Sequence, residues 1–219
     1  VTTNASIQNY RRRFDSRGKL FQIQPYVSWK HKFSDDLILT AGITSLFINV
    51  EENNVANSIT NFSPIEPRIG LKWNVNDKSA FSLGLGYHSQ TQPLYSRYYI
   101  NEGNSSAHNQ GLDLTYSKHL VVGYSHKLNK DFGLKTEAYY QDLTGIPVEA
   151  SPSAFSLTNA GSGFFRVFPD TLVNTVTGYN YGLEFTLQRY FNKNWHALFS
   201  GCIYNLSLIH ISEPTRQAM

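Results

Sequence analysis

The chain has 219 residues, with 19 Lys and Arg against 16 Asp and Glu, a net charge of +3. That is one domain's length, and the charge balance is too weak to predict a nucleic-acid partner. The single cysteine, Cys202, excludes an internal disulfide framework and a Cys-based zinc cluster, and no apolar run approaches the ~18 residues that a spanning helix needs.

The first clear element is residues 21–33, where Phe21, Ile23, Pro25, Val27 and Trp29 alternate with Gln22, Gln24, Tyr26, Ser28 and Lys30. A weaker alternation covers 37–48. Next come Pro67, Ile69, Leu71, Trp73 and Val75, interleaved with Arg68, Gly70, Lys72 and Asn74. Phe81, Leu83, Leu85 and Tyr87 alternate with Ser82, Gly84 and Gly86, and weaker runs follow at 118–128 and 132–141. Tyr181, Leu183, Phe185 and Leu187 alternate with Gly182, Glu184, Thr186 and Gln188, and the last run is 195–204. Period two predicts eight strands, each with one apolar and one polar face, and no segment has sustained helical spacing.

The strands are predicted to pair through very short connections at 34–36, 76–78, 129–131 and 192–194, all rich in Asn and Asp. These residues tolerate left-handed backbone and bond to their own main chain, as tight hairpins require. Long polar stretches at 49–63, 91–114 and 144–176 separate the pairs. The fold class is therefore all-β and antiparallel.

Two architectures produce this pattern. A soluble β-sandwich buries the apolar face against a second sheet; an outer-membrane barrel turns it to lipid and keeps the polar face on the lumen. Strand runs of about 9–11 residues, and short turns alternating strictly with long loops, favour the barrel. So does the sorting of aromatics by height. Trp29, Trp73 and Trp195, with Phe33, Phe132 and Phe191, lie near short turns, whereas Tyr87, Tyr140, Tyr179 and Tyr181 lie near long loops. Two interfacial belts would sort them this way. Arg189 and Lys118 fall on the apolar side but close to an end, where they can snorkel. Pro25 withholds a ladder donor, for which a bulge is the expected remedy.

Barrel termini normally lie on the short-turn side, yet the first strand here runs into a short turn and the last leaves one. The expectation is that residues 1–205 form part of a larger barrel, because an isolated open sheet would leave unpaired edges in lipid. Residue 1 is Val and no leader precedes it, so any export signal is expected upstream. Residues 206–219, with Ser207-Leu208-Ile209-His210-Ile211-Ser212-Glu213-Pro214, resemble a translated sequencing adapter and are read as a non-native tail.

Several strand sequences are similar to the barrel of Bacteroidetes-type TonB-dependent receptors across about residues 19–205. They are Ile23-Gln24-Pro25-Tyr26, Phe62-Ser63-Pro64-Ile65-Glu66-Pro67-Arg68-Ile69-Gly70-Leu71-Lys72-Trp73, Gly86-Tyr87-His88-Ser89-Gln90 and Lys135-Thr136-Glu137-Ala138-Tyr139-Tyr140-Gln141. The resemblance implies a bacterial outer-membrane transporter, plugged by a separate globular domain and energised by TonB. Such a transporter imports a scarce extracellular ligand: a metal chelate, a cobalamin or an oligosaccharide. The plug and the TonB box are absent from this sequence, so those partners are implied for a longer protein. A passive porin or small structural outer-membrane barrel, and a soluble β-sandwich binding module, are the alternatives.

No catalytic constellation is present and no cofactor is expected. Gly161-Ser162-Gly163 lacks the strand-to-helix setting of a nucleophile elbow. His119 and His126 are seven apart on one strand, hence on opposite faces and ~20 Å apart, and no other histidine has a close sequence partner, so no metal site is expected. Glu66, Arg68, Lys72, Glu137, Glu184 and Gln188 are expected on the lumen face, against the plug, each other or a ligand. The candidate ligand segment is 95–102, with Tyr95, Arg97, Tyr98, Tyr99, Asn101 and Glu102. Its aromatic faces and guanidinium suit sugars or chelates, but the same residues could instead fold the loop onto the rim. Phe164, Phe165 and Phe168 form a second candidate cluster with the same two readings.

Overall fold

A computed structural model describes residues 18–52, 59–62, 65–97, 109, 111–151, 153, 155–157, 171–192 and 194–209. The strands are β1 (Gly18–Ile23), β2 (Tyr26–Lys32), β3 (Leu37–Thr44), β4 (Phe47–Glu52), β5 (Ile59–Phe62), β6 (Glu66–Asn76), β7 (Ser79–Gln90), β8 (Thr115–Lys127), β9 (Phe132–Glu149), β10 (Leu172–Asn192) and β11 (Trp195–Ile209). Eight of them form one antiparallel sheet in the order β11-β10-β9-β8-β7-β6-β3-β2, with β11 and β2 as its edges, and β1-β4-β5 form a smaller sheet. One helical turn, α1 (Leu94–Arg97), lies in a stretch where no helix is expected from sequence.

The short connections close by the chemistry their residues dictate. Ser34 Oγ accepts from the amides of Asp36 and Leu37. Asn76 Oδ1 accepts from Lys78 and Ser79, both at 2.9 Å. Asn129 Oδ1 does the same for Asp131 and Phe132 at 2.8 and 2.9 Å. In the fourth connection Asn194 takes φ of 67°, the left-handed conformation that Asn tolerates.

The 21–33 run is two strands, β1 and β2, and not the single strand that its alternation suggests. Nor is there a bulge at Pro25. Ile23 pairs with Phe47 and Tyr26 with Thr44, so the register is unchanged across the proline and no residue is inserted. Pro25 lacks an N–H, which interrupts the ladder, and its carbonyl accepts from Ser45 N and Thr44 Oγ1 at 3.2 and 3.0 Å. The irregularity lies on the other side of the same hairpin. Thr44 pairs with Glu66, but Phe47 pairs with Phe62, a slip of one residue between β3-β6 and β4-β5. The stretch 49–63, expected to be loop, therefore contains most of β4 and all of β5.

Most apolar residues of the large sheet share one face, with Leu198, Tyr204 and Leu206 of β11 on the other opposite Gln188, Gly182 and Asn180, and no second layer covers the apolar face among the described residues. Val27 is 73% and Ile203 74% exposed. This overturns the sandwich alternative, which needs that face buried. Rings gather at both ends of it. Near the short turns, Trp73, Phe81 and Tyr124 are in series at centroid distances of 6.3 and 5.0 Å. Arg189, expected to snorkel, is buried there instead: its guanidinium lies 3.4 Å from the Trp195 ring centroid and Nη1 donates to Trp195 O at 2.8 Å. At the other end Tyr87 and Tyr116 stack at 5.9 Å, and Tyr179 and Tyr181 at 6.1 Å. Lys118 pairs there with Asp142 at 3.7 Å.

The buried core sits at the long-loop end. β9 has 18 residues and β10 has 21, well beyond the about 9–11 that cross a bilayer. Their extra length runs into the 144–176 stretch and packs Leu143, Ile146, Val148 and Val176 together. Gly145 takes φ of +70° where an added Cβ would lie 2.7 Å from Leu114 O, so a side chain is excluded there. At the chain's other end β11 continues through Leu206 to Ile209, which pairs with Thr177.

Candidate functional site

The ladder places all six expected lumen residues on the polar face. Lys72 faces Ser82, Arg68 faces Gly86, Glu137 faces Gly123 and Glu184, and Gln188 faces Gly133. Glu66 is 3% exposed and is the best-anchored of them. Its Oε1 accepts from Ser89 N at 2.8 Å and Ser89 Oγ at 2.6 Å, and Oε2 lies 3.7 Å from Arg68 Nη2 and 4.0 Å from His88 Nδ1. A buried carboxylate needs such partners. Glu137 is paired with Lys135 at 2.6 Å, and Cys202 Sγ lies 3.9 Å from Glu184 Oε1.

Hollows at both ends of this face are formed among the described residues, and a smaller one, of about 270 Å³, lies between them at His119, Glu137, Gln141 and Glu184. The one at the short-turn end has a volume of about 780 Å³ and is lined by Lys72, Lys78, Lys127 and Lys135, with Asp36 and Asp77. The other, of about 650 Å³, lies under residues 91–95 at the long-loop end, and none of its lining residues is Asp, Glu, Lys or Arg. His88, Ser117, His119, Gln141, Asn180 and Tyr95 are in its wall.

The second hollow is assembled by register. His119 faces Gln141, and Gln141 faces Asn180, so β8, β9 and β10 contribute one residue each to a single row. Gln141 Nε2 donates to Ser117 Oγ at 2.9 Å, which fixes the amide. The His88 ring meets His119 edge-on at 4.6 Å. Sequence spacing leaves these two histidines without partners, and the β7-β8 pairing unites them. His119 Nε2 and Asn180 Oδ1 are enclosed with no hydrogen-bond partner among the described residues. No group of three His, Cys, Asp or Glu arranged to hold a metal ion occurs among those residues.

The roof is held by long-range hydrogen bonds. Asn109 Nδ2 donates to Ser96 O at 3.2 Å, and its Oδ1 accepts from Leu172 N at 2.7 Å. Asn174 bridges Asp113 N, Asp113 O and Gly145 O at 2.9, 3.3 and 2.8 Å. Arg97 is 3% exposed and donates to Leu112 O at 2.5 Å and to Thr91 Oγ1 at 3.3 Å. Of the two uses that sequence leaves open for Arg97, the structure places its guanidinium in the packing of the loop. Tyr95 faces the hollow. Tyr98, Tyr99, Asn101 and Glu102, like Phe164, Phe165 and Phe168, lie outside the described residues.

No known family profile matches the sequence, and no curated protein matches it. Solved structures do. The FrpB iron transporter of Neisseria meningitidis (F3-3 variant) is similar with a TM-score of 0.61 at 15% identity, over 89% of this chain and 27% of that one. The F5-1 variant gives 0.61 at 14% over 91% and 28%. FpvAI, from its complex with pyocin S2, gives 0.61 at 15% over 87% and 24%. The chain thus spans about a quarter of the length of the structures it matches. The likeness shows the fold: the chain folds like a segment of these structures.

Proposed function

We propose that the chain is part of the barrel of an outer-membrane receptor that captures a scarce ligand outside the cell and imports it with energy delivered by TonB. The observation that carries this reading is the division of one sheet into two faces. An uncovered apolar face with a ring belt at each end suits lipid. The opposite face carries the Glu66–Arg68 and Lys135–Glu137 pairs and the lysine-lined hollow, as a lumen wall does. The fold likeness over about nine-tenths of the chain supports the same reading.

In this reading Glu66, Arg68, Lys72, Glu137, Glu184 and Gln188 line the lumen and face a plug domain. Tyr95 and the following Tyr98, Tyr99, Asn101 and Glu102 supply the ligand-facing loop, and Arg97 holds that loop in place. The transporter is not an enzyme. The test uses the complete protein in a Gram-negative host. The expected results are heat-modifiable gel migration from outer-membrane fractions and a nutrient-uptake phenotype that disappears when TonB is deleted. Uptake that persists without TonB would replace this reading with a passive porin.

A further inference from the structure

We propose that the apolar face carries, at its long-loop end, a site for a zwitterionic lipid headgroup, a phosphoethanolamine group whose phosphate sits on Lys118 and whose ammonium sits on Asp142. The inference rests on the reading that this face meets lipid, and it concerns neither the lumen nor the cargo.

Register builds the site. Tyr87 faces Lys118, Lys118 faces Asp142 and Asp142 faces Tyr179, so β7, β8, β9 and β10 contribute one residue each to a single row. At the usual strand spacing the row is about 14 Å wide. Lys118 Nζ lies 3.7 Å from Asp142 Oδ2, and the two side chains are 67% and 39% exposed. An ion pair that long and that open is weak, so both charges stay available to a third group. Arg189, on the same face at the other end, differs: it is buried, stacked on Trp195 and bonded to its carbonyl.

The two charges decide the ligand. A phosphate alone would accept from Lys118 but meet the carboxylate of Asp142, and an amine alone would suit Asp142 but meet the ammonium of Lys118. A zwitterion matches both at once. The rings favour the same orientation. Tyr179 faces Asp142, Tyr140 lies two positions before Asp142 on the same strand face, and Tyr181 faces Tyr140. Tyr179 and Tyr181 are stacked at 6.1 Å. Ring faces attract an ammonium group, and a carboxylate accepts its hydrogen bonds. Beside Lys118, Tyr87 and Tyr116 stack at 5.9 Å with their planes 2° apart.

The surroundings select a lipid over the free headgroup. One step toward the short turns, Leu120 faces Tyr140 and Leu85 faces Leu120, and both leucines are exposed. They continue the site as an apolar track along which an acyl chain can lie.

The test is native mass spectrometry of the complete, delipidated receptor in detergent, titrated with dipalmitoyl phosphatidylethanolamine, phosphatidylglycerol and phosphatidylcholine. Phosphatidylethanolamine is expected to bind about threefold or more tightly than either of the others. Phosphatidylglycerol has no ammonium for Asp142, and the quaternary ammonium of phosphatidylcholine cannot donate to it. Asp142→Asn is expected to invert the order and put phosphatidylglycerol first, because Lys118 is then unopposed. Lys118→Met is expected to weaken phosphatidylethanolamine about threefold or more. Free phosphoethanolamine at equal concentration is expected to displace no lipid. The proposal is overturned if the parent binds the three lipids alike, if it prefers phosphatidylglycerol, if the free headgroup competes as well as the lipid, or if Asp142→Asn keeps the parent's order. The comparison of lipids on the parent needs no variant, so it decides the matter even where a variant loses heat-modifiable migration. Other failures look different. A receptor that stays soluble without detergent would overturn the lipid-facing reading and this proposal with it, whereas uptake independent of TonB would overturn the transport reading and leave the lipid order unchanged.

Discussion

At the short-turn end three of the four connections are closed by a residue inside them: Ser34, Asn76 and Asn129 bond to amides two and three positions away. At the long-loop end the same job is done across the chain. Asn109 binds Leu172, 63 residues on, and Asn174 binds Asp113, 61 residues back. The difference follows from what each end must do. A turn needs only to reverse the strand, which local polar chemistry achieves. A rim that encloses a hollow must hold its loops against each other, and it does so with a buried apolar cluster and amide bridges. The two ends should therefore fail separately.

The largest expected effect tests that separation. Ile146 is 0% exposed within the loop-end cluster, so Ile146→Ala should cost about 2–5 kcal/mol. The loss should be confined to the rim: faster hydrogen exchange and proteolysis in 143–157, with the hairpin around Asn129 unchanged. Uniform loosening of both ends would break the comparison. Next in size is the contrast between the two faces midway between the ends. Leu83→Arg should destabilise the intact barrel in liposomes by about 2–4 kcal/mol as a lipid-facing charge near the midplane, and Ser82→Arg far less. Equal costs in denaturant titrations would remove the assignment of faces.

The same local-versus-distant division explains what was legible in the sequence. The turn chemistry fixes hairpin register, because His119 and Gln141 are equidistant from Lys130 and face each other. Two of the three residues of that row could thus be read from spacing alone. Asn180 could not. It reaches Gln141 across the 144–176 stretch, where β9 and β10 slip register between Val173 and Gly178, and no count from a turn survives two irregularities. The His88–His119 contact is hidden for the same reason, since a long loop joins their strands. Pro25 shows a subtler limit: alternation continued through it, and so did the register, while the ladder did not. For Arg97 sequence leaves ligand binding and loop packing both open, because it shows the guanidinium but not the Leu112 carbonyl to which it donates.

A smaller effect is expected at Arg189, which stacks on Trp195 and bonds its carbonyl at the foot of the sheet. Arg189→Ala should cost about 1–3 kcal/mol, from a desolvated cation–π contact and a charge-assisted hydrogen bond. Arg189→Lys should recover only part of it, because an ammonium cannot stack its plane on the indole while donating sideways. Chemical denaturation in liposomes, with Trp195 fluorescence as the local probe, separates the three. Full recovery by lysine would show that Arg189 is merely a snorkelling charge.

The smallest effect sharpens the comparison most. Asn129 Oδ1 serves two exposed amides in its own turn. Water can replace an exposed acceptor, so Asn129→Ala should cost only about 0.5–1 kcal/mol. Asn109→Ala removes the same amide from a buried position between Ser96 O and Leu172 N, and should cost about 1–3 kcal/mol because water does not reach the orphaned groups. Both variants lose two hydrogen bonds of one residue type, so the gap between them measures what enclosure adds at the rim. If the two proved equal in the same denaturant titration, the loop end would be as open to water as the turns, and the contrast between the two ends would not be one of enclosure.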